Sequence, residues 1–135
     1  MSRAVLWSGV LALGLSCTAR ADTPVSVATL PPSVVQTWPA AGTTDVDPSL
    51  KEIRVQFSKD MADGRWSWVQ VSSDTFPTPN GDPRYAADKR NCTLPVSLKP
   101  DMTYVVWVNS DRYTNFRDVQ GLVAVPYQLV FHTRP

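Results

Sequence analysis

"LKPDMTYVVWV", residues 98 to 108, is the stretch on which the fold turns. Leu98 closes one inward row. Pro100 and Asp101 supply a turn, because proline presets its φ and aspartate bonds back to nearby backbone. From Tyr104 onward the pattern alternates: Tyr104, Val106 and Val108 share one face, and Val105 and Trp107 the other. Period-two alternation is the mark of a half-buried strand, whose successive side chains point to opposite faces. A tyrosine heading a strand straight after such a turn predicts a corner. Its ring enters the core and its hydroxyl returns to the backbone a few residues upstream, bracing consecutive strands of a β-sandwich. The plainer alternative is an ordinary core tyrosine.

The same alternation recurs along the chain. "EIRVQF" sets Ile53, Val55 and Phe57 against Glu52, Arg54 and Gln56. "NCTLPVSL" aligns Cys92, Leu94, Val96 and Leu98, and "YQLVFHT" aligns Tyr127, Leu129 and Phe131. Residues 33–37, 66–71 and 84–87 are further strand candidates, which makes about seven. Helical periodicity is absent, and 12 prolines are scattered through the chain. Short strands separated by Gly, Pro, Asn and Asp turns predict an all-β sandwich of antiparallel strands. Its expected core is Ile53, Val55, Phe57, Leu94, Val96, Leu98, Tyr104, Val106, Val108, Leu129 and Phe131.

"WPAAGTTDVDPSLKEIRVQFSKDM", residues 38 to 61, adds a resemblance. It is similar to the opening of bacterial Ig-like domains of the surface-layer-protein type, through Pro39, Gly42, Asp45–Val46, Ile53, Val55, Phe57 and Met61. The "LKPDMTY" corner and the closing "VFHT" match as well, so the likeness covers about residues 33 to 134. It implies an Ig-like β-sandwich of about seven antiparallel strands. Such modules usually act as spacers or adhesion units. Residues 72 to 91 are the least typical part, a polar, proline-bearing insertion whose path does not follow from its pattern.

The N-terminus reads as an export signal. Met1 to Arg3 is a short positive start, Ala4 to Ser16 an apolar run too short to span a bilayer, and "ARA" at 19 to 21 a cleavage motif. This divides the chain into a signal peptide (1–21), a Pro-rich leader or tether (22–32) and an Ig-like domain (33–135). "GLSC" at 14 to 17 offers a second outcome, lipidation at Cys17, although Gly14 stands where such boxes usually carry leucine. No later stretch approaches the ~20 apolar residues of a membrane span. Both outcomes predict an exported protein: periplasmic, extracellular or envelope-associated. The formal charge of +1, with no Lys/Arg cluster, gives no electrostatic footprint for nucleic acid.

Catalytic chemistry finds few candidates. His132 is the single histidine, on the polar face of the last strand, and a nucleophilic system needs its base beside the nucleophile. Cys92 belongs to an inward row and is expected to be a buried, inert thiol. Glu52 is the sole glutamate and faces outward, so no pair of acids is marked for glycoside hydrolysis. Asp45, Asp47, Asp60 and Asp63 could be calcium ligands, but Asp beside Pro or Gly is ordinary turn chemistry. No enzyme, metal or cofactor is therefore expected.

The aromatic residues carry the remaining expectation. Parity places Val105, Trp107 and Asn109 outward beside Gln128, Val130 and His132. The "WSWVQV" strand has two registers, and a one-residue slip exchanges its faces. With Val69 and Val71 buried, Trp66 and Trp68 join Trp107 in an open aromatic patch. With the two tryptophans buried, only Trp107 remains outside. The function expected first is a non-catalytic extracytoplasmic module contacting a protein or an envelope component. The alternative is a carbohydrate-binding module that stacks sugars on exposed tryptophans. A small hydrolase comes third.

Overall fold

The computed structural model describes residues 14–17 and 24–135. Apart from residues 14–17, the expected signal peptide lies outside the described residues. Eight strands follow in order: β1 (Val34–Trp38), β2 (Glu52–Phe57), β3 (Trp68–Gln70), β4 (Thr78–Pro79), β5 (Arg84–Tyr85), β6 (Asn91–Ser97), β7 (Thr103–Val108) and β8 (Tyr127–His132). No helix occurs among the described residues. One sheet runs β1-β2-β6-β4 with β5 also on β6, and the other runs β3-β7-β8. Every strand pair is antiparallel. The chain is the all-β sandwich its alternation predicts.

The 72–91 insertion forms an edge strand. Thr78 and Pro79 pair with Ser97 and Val96, and Arg84 and Tyr85 pair with Thr93 and Cys92. Between them the Asn80 N–H donates to the Pro95 carbonyl at 2.9 Å. β4 and β5 thus lie end to end along β6, separated by a bulge at 81–83. Gly81 sits there at φ +128°, where an added Cβ would stand 3.4 Å from the Pro95 side chain. Only glycine adopts that backbone without strain. Eight elements therefore occupy seven strand positions.

The inward rows meet as expected. Ten of the eleven residues expected in the core are buried, and Leu98 packs partly buried against them. Val46, Met61, Cys92, Phe116 and Ala124 complete the interior. The tyrosine corner is present: the Lys99 N–H donates to the Tyr104 hydroxyl oxygen at 2.8 Å. The Tyr104 ring lies 5.5 Å from that of Phe131. Thr133 locks the turn from β8's side, its hydroxyl donating to the Lys99 carbonyl at 2.6 Å and accepting from the Met102 N–H at 3.0 Å.

Asn109 departs from the expectation. Strand parity places it outward beside Trp107, yet it is fully buried. Its φ of 58° ends the extended run of β7 and turns its side chain inward. Asparagine tolerates this left-handed conformation better than most residues. Its Nδ2 donates to the carbonyls of Phe116 (2.9 Å) and Ala124 (3.1 Å), and its Oδ1 accepts from the Phe116 N–H at 3.0 Å. These bonds hold the β7–β8 connection and seat Phe116 5.2 Å from Phe57 and 5.5 Å from Trp68.

The end of the leader is held by a buried charge pair. Lys59 Nζ binds the Asp118 carboxylate, whose side chain is fully buried, and also donates to the carbonyls of Ala28 (3.2 Å) and Leu30 (2.9 Å). The Val125 N–H donates to the Pro32 carbonyl at 3.0 Å. Burial pushes the Asp118 carboxyl upward, but Lys59 and the Leu122 and Gln120 amides outweigh it, and its pKa lies below the usual carboxylate range. A carboxyl depressed in the folded state stabilises above its unfolded pKa, and that contribution is lost as pH falls through the folded value.

Three stability results are expected from chemical denaturation. Tyr104→Phe costs about 0.5–1.5 kcal/mol, the net worth of one hydrogen bond. Asn109→Ala costs about 3 kcal/mol, because buried backbone groups are left unpaired. Stability falls below about pH 4 in the intact chain, and Asp118→Asn flattens that acid limb.

Candidate functional site

The outer face of the β3-β7-β8 sheet gathers most of the outward residues read from the sequence. Trp107 pairs with Val69 on one side and Gln128 on the other, so one row runs across all three strands. Val105 and Val130 form the next row, and Thr103 and His132 the third. A groove of about 290 Å³ opens beside Trp107, lined by Val69, Val71, Ser110, Asp111 and Pro126. Val71 is 64% exposed. The face combines an indole and several valines with a rim of Gln128, Ser110 and Asp111.

The register of β3 is settled against the three-tryptophan patch. Trp68 stands opposite Val108, an inward residue, so Trp68 faces the interior. It packs edge-on against Phe116 at 81° and touches both halves of the core. Trp66 keeps the same parity and packs against the half that contains Phe57 and Phe116. The physical reason is volume. Phe116 leaves an aromatic-sized space between the sheets, which a valine at position 68 would leave partly empty. Trp66 and Trp68 are therefore not part of the Trp107 face, and neither is Asn109.

These two tryptophans instead border a cleft that parity reasoning missed. A space of about 590 Å³ opens between the edge of β3 and the β4–β5 edge. Trp66, Trp68, Phe76 and Leu94 line it, with Asp82 and Tyr113 at its border. Its position depends on the path of residues 72–91, which no local pattern revealed. The absence of proline and charge across 66–71 was the available signal.

His132 occupies a hydrogen-bonded chain. Its Nδ1 lies 2.8 Å from Thr103 Oγ1, and its Nε2 lies 3.0 Å from Asp101 Oδ1. This links hydroxyl, imidazole and carboxylate, but the Asp101 side chain is 74% exposed. With that carboxylate in solvent, the chain acts as a surface brace across β7, β8 and the corner turn. Cys92 is buried, and burial pushes its thiol up to about 12, while the nearby Trp68 side chain opposes the shift. That thiol is not a nucleophile at neutral pH.

Three of the four aspartates raised as calcium candidates, Asp47, Asp60 and Asp63, are engaged as turn residues or ion pairs. Asp47 accepts from the Ser49 N–H at 2.9 Å and from its hydroxyl at 2.8 Å, and pairs with Arg134 at 2.9 Å. Those Ser49 bonds hold its carboxyl below the usual range. Asp60 pairs with Arg90, and Asp63 accepts from the Gly64 N–H. Among the described residues no group of three or more His, Cys, Asp or Glu side chains comes together to hold a metal.

Two antiparallel sheets, a tyrosine corner and a β7–β8 loop closed onto the core define a sandwich of the immunoglobulin type. Residues 28–133 match the bacterial Ig-like domain family, and the chain belongs to that family. Its fold is similar to that of surface layer protein SbsC in a structure of domains 1–6, with TM-score 0.51 and 16% identity. A crystal structure of the S-layer protein rSbsC gives TM-score 0.51 and 17% identity. Each likeness covers 79% of this chain and 14% of the other, so this chain corresponds to a small part of those proteins. No curated protein matches the chain.

Denaturation of two variants separates the two tryptophan environments. Trp68→Ala is expected to cost about 3–5 kcal/mol, as for a tryptophan removed from a packed core. Trp107→Ala is expected to cost under about 1 kcal/mol, because its ring lies on the outer face.

Proposed function

We propose that this chain is a non-catalytic module of the extracytoplasmic space that contacts proteins or other components of the cell envelope, as a spacer or adhesion unit. The observation that carries this reading is the outer face centred on Trp107. A tryptophan flanked by Val69, Val105 and Val130 presents a rigid apolar surface at low entropic cost, the composition of a binding hot spot. Family membership, the export-type N-terminus and the fold shared with surface-layer proteins support the location. No helix among the described residues is long and apolar enough to cross a membrane. A second reading rests on the Ser110 and Asp111 side of the groove. An indole beside hydroxyl and carboxylate groups could stack and hydrogen-bond a sugar ring.

Co-sedimentation with isolated cell envelopes tests the proposal. The mature chain is expected to sediment with them, and Trp107→Ala to bind about tenfold more weakly, the loss typical of a hot-spot residue. Val35→Ala, on β1 of the other sheet, serves as the control. Undiminished binding by Trp107→Ala overturns the assignment of this face. Binding that survives protease treatment of the envelopes but not glycan digestion decides for the sugar reading.

A further inference from the structure

Each sheet of an open sandwich ends in strands whose outward N–H and C=O groups stay unpaired unless something covers them, and proteins usually blunt such edges. Three of the four edges here are closed or blunted. Along β8, the Gly42 N–H donates to the Val130 carbonyl at 2.7 Å and the His132 N–H to the Thr43 carbonyl at 2.8 Å. The β4–β5 edge carries Pro77, Pro79, Pro83 and the 81–83 bulge. β1 has a register break between Val34 and Gln36, with prolines at 31, 32 and 39 around it.

The β3 edge, Trp68–Gln70, carries no proline and no covering strand, and its ladder breaks only beyond Gln70, where the Val105 N–H donates to the Thr75 carbonyl at 2.8 Å. "WSWVQV", residues 66 to 71, contains no proline and no charge. The Asn109 N–H donates to the Ser67 carbonyl at 3.0 Å, so Ser67 and Asn109 form a hydrogen-bonded pair. Alternation then makes Val69/Trp107 the next such pair and leaves Trp68 and Gln70 non-hydrogen-bonded. The N–H and C=O groups of Trp68 and Gln70 therefore point away from β7. No other described residue hydrogen-bonds them. The cleft of about 590 Å³ opens beside this edge, with Trp66, Trp68 and Phe76 on its wall.

We propose that the β3 edge receives residues 24–27 of a second copy as an added antiparallel strand. Val25 and Val27 are 84% and 71% exposed, alternate about Ser26, and belong to an uncharged stretch. Lys59 grips Ala28 and Leu30, so the residues before them extend from the anchored point. In an added strand, the residues that exchange hydrogen bonds with Trp68 and Gln70 also share their inward face. Val27 opposite Trp68 and Val25 opposite Gln70 meet both conditions: their N–H and C=O groups complete the edge and their side chains enter the cleft. Docking opens the exposed turn that Ser26 makes with Thr29 and Leu30, whose hydrogen bonds water can replace. The leader and the β3 edge are different surfaces, so the contact closes as a two-fold dimer when two copies exchange leaders and otherwise builds head-to-tail rings or filaments. This inference goes beyond the envelope-contact reading and does not depend on it.

Sedimentation velocity and tryptophan fluorescence test it on the mature chain. The unaltered chain is expected to form assemblies that grow with concentration, and the Val25→Asp/Val27→Asp variant to stay monomeric. That variant should bind the synthetic peptide PVSVATLPP, residues 24 to 32, with a change in the emission of Trp66 and Trp68. A peptide N-methylated at both valines should bind about tenfold or more weakly, since it lacks the two donors. Gln70→Pro should also abolish assembly, because it removes an edge-facing N–H and leaves the β3–β7 bonds intact. A monomeric unaltered chain with no affinity for the peptide overturns the proposal, as does equal binding of the N-methylated peptide. Assembly that persists in Val25→Asp/Val27→Asp assigns the contact to another surface and likewise refutes it. None of these outcomes bears on envelope binding through Trp107, which the co-sedimentation assay reads separately.

Discussion

A single buried carboxamide, that of Asn109, constrains much of what lies on either side of it. It stands where β7 must end, in a left-handed conformation, and its side chain bonds backbone groups of two residues across the loop. A long connection between strands cannot cover a core with unpaired peptide groups, because each would cost about 1–3 kcal/mol. Asn109 supplies those partners, and Phe116 can then enter the interior. Once Phe116 lies between Phe57 and Trp68, the space between the sheets at this end is aromatic in size and shape. The register of β3 follows from that packing. With Trp68 committed inward, Val69 and not a second indole becomes the neighbour of Trp107.

The two surfaces of interest are thus consequences of one packing decision. The outer face of the small sheet receives Trp107 among valines, a modest apolar patch with a polar rim. The opposite side of β3 becomes the wall of a cleft, because the tryptophans that fill it stop short of the β4–β5 edge. Proline and a bulge make that second edge a poor partner for another strand, whereas β3 retains its free hydrogen-bonding groups. The proposed contact role would use this division of labour: a closed core for stability, and faces or edges that can engage something else without disturbing it.

Anchoring of the leader adds a link between the chain end and the sandwich. Lys59 is nearly buried, and its charge is met by Asp118 and by two leader carbonyls. An isolated buried ammonium or carboxylate would be costly, and the pair is tolerated because amides and carbonyls satisfy the remaining valences. Residues 28–32 are therefore tied to the sandwich, with Pro32 buried and 28–31 exposed, although their composition alone reads as tether. Composition reports the backbone's intrinsic preference for extended structure, and it does not report a lysine thirty residues away that can hold it.

What the sequence by itself determined was the strands other than β4, the inward faces of β2, β6, β7 and β8, and the corner at Tyr104. These depend on neighbours two or five residues apart, and side-chain alternation and turn chemistry are local properties. The position of Trp107 on an outer face was legible for the same reason. Asn109 escaped because one positive φ reverses parity, and parity reasoning assumes an unbroken strand. The register of β3 escaped because both faces of "WSWVQV" are apolar enough to be buried, so only Phe116, far along the chain, could choose between them. The cleft and the free edge required the path of residues 72–91, whose prolines and bulge obscure its identity as a strand. Tertiary structure decided these features because each depends on which distant groups compete for the same volume and the same hydrogen bonds.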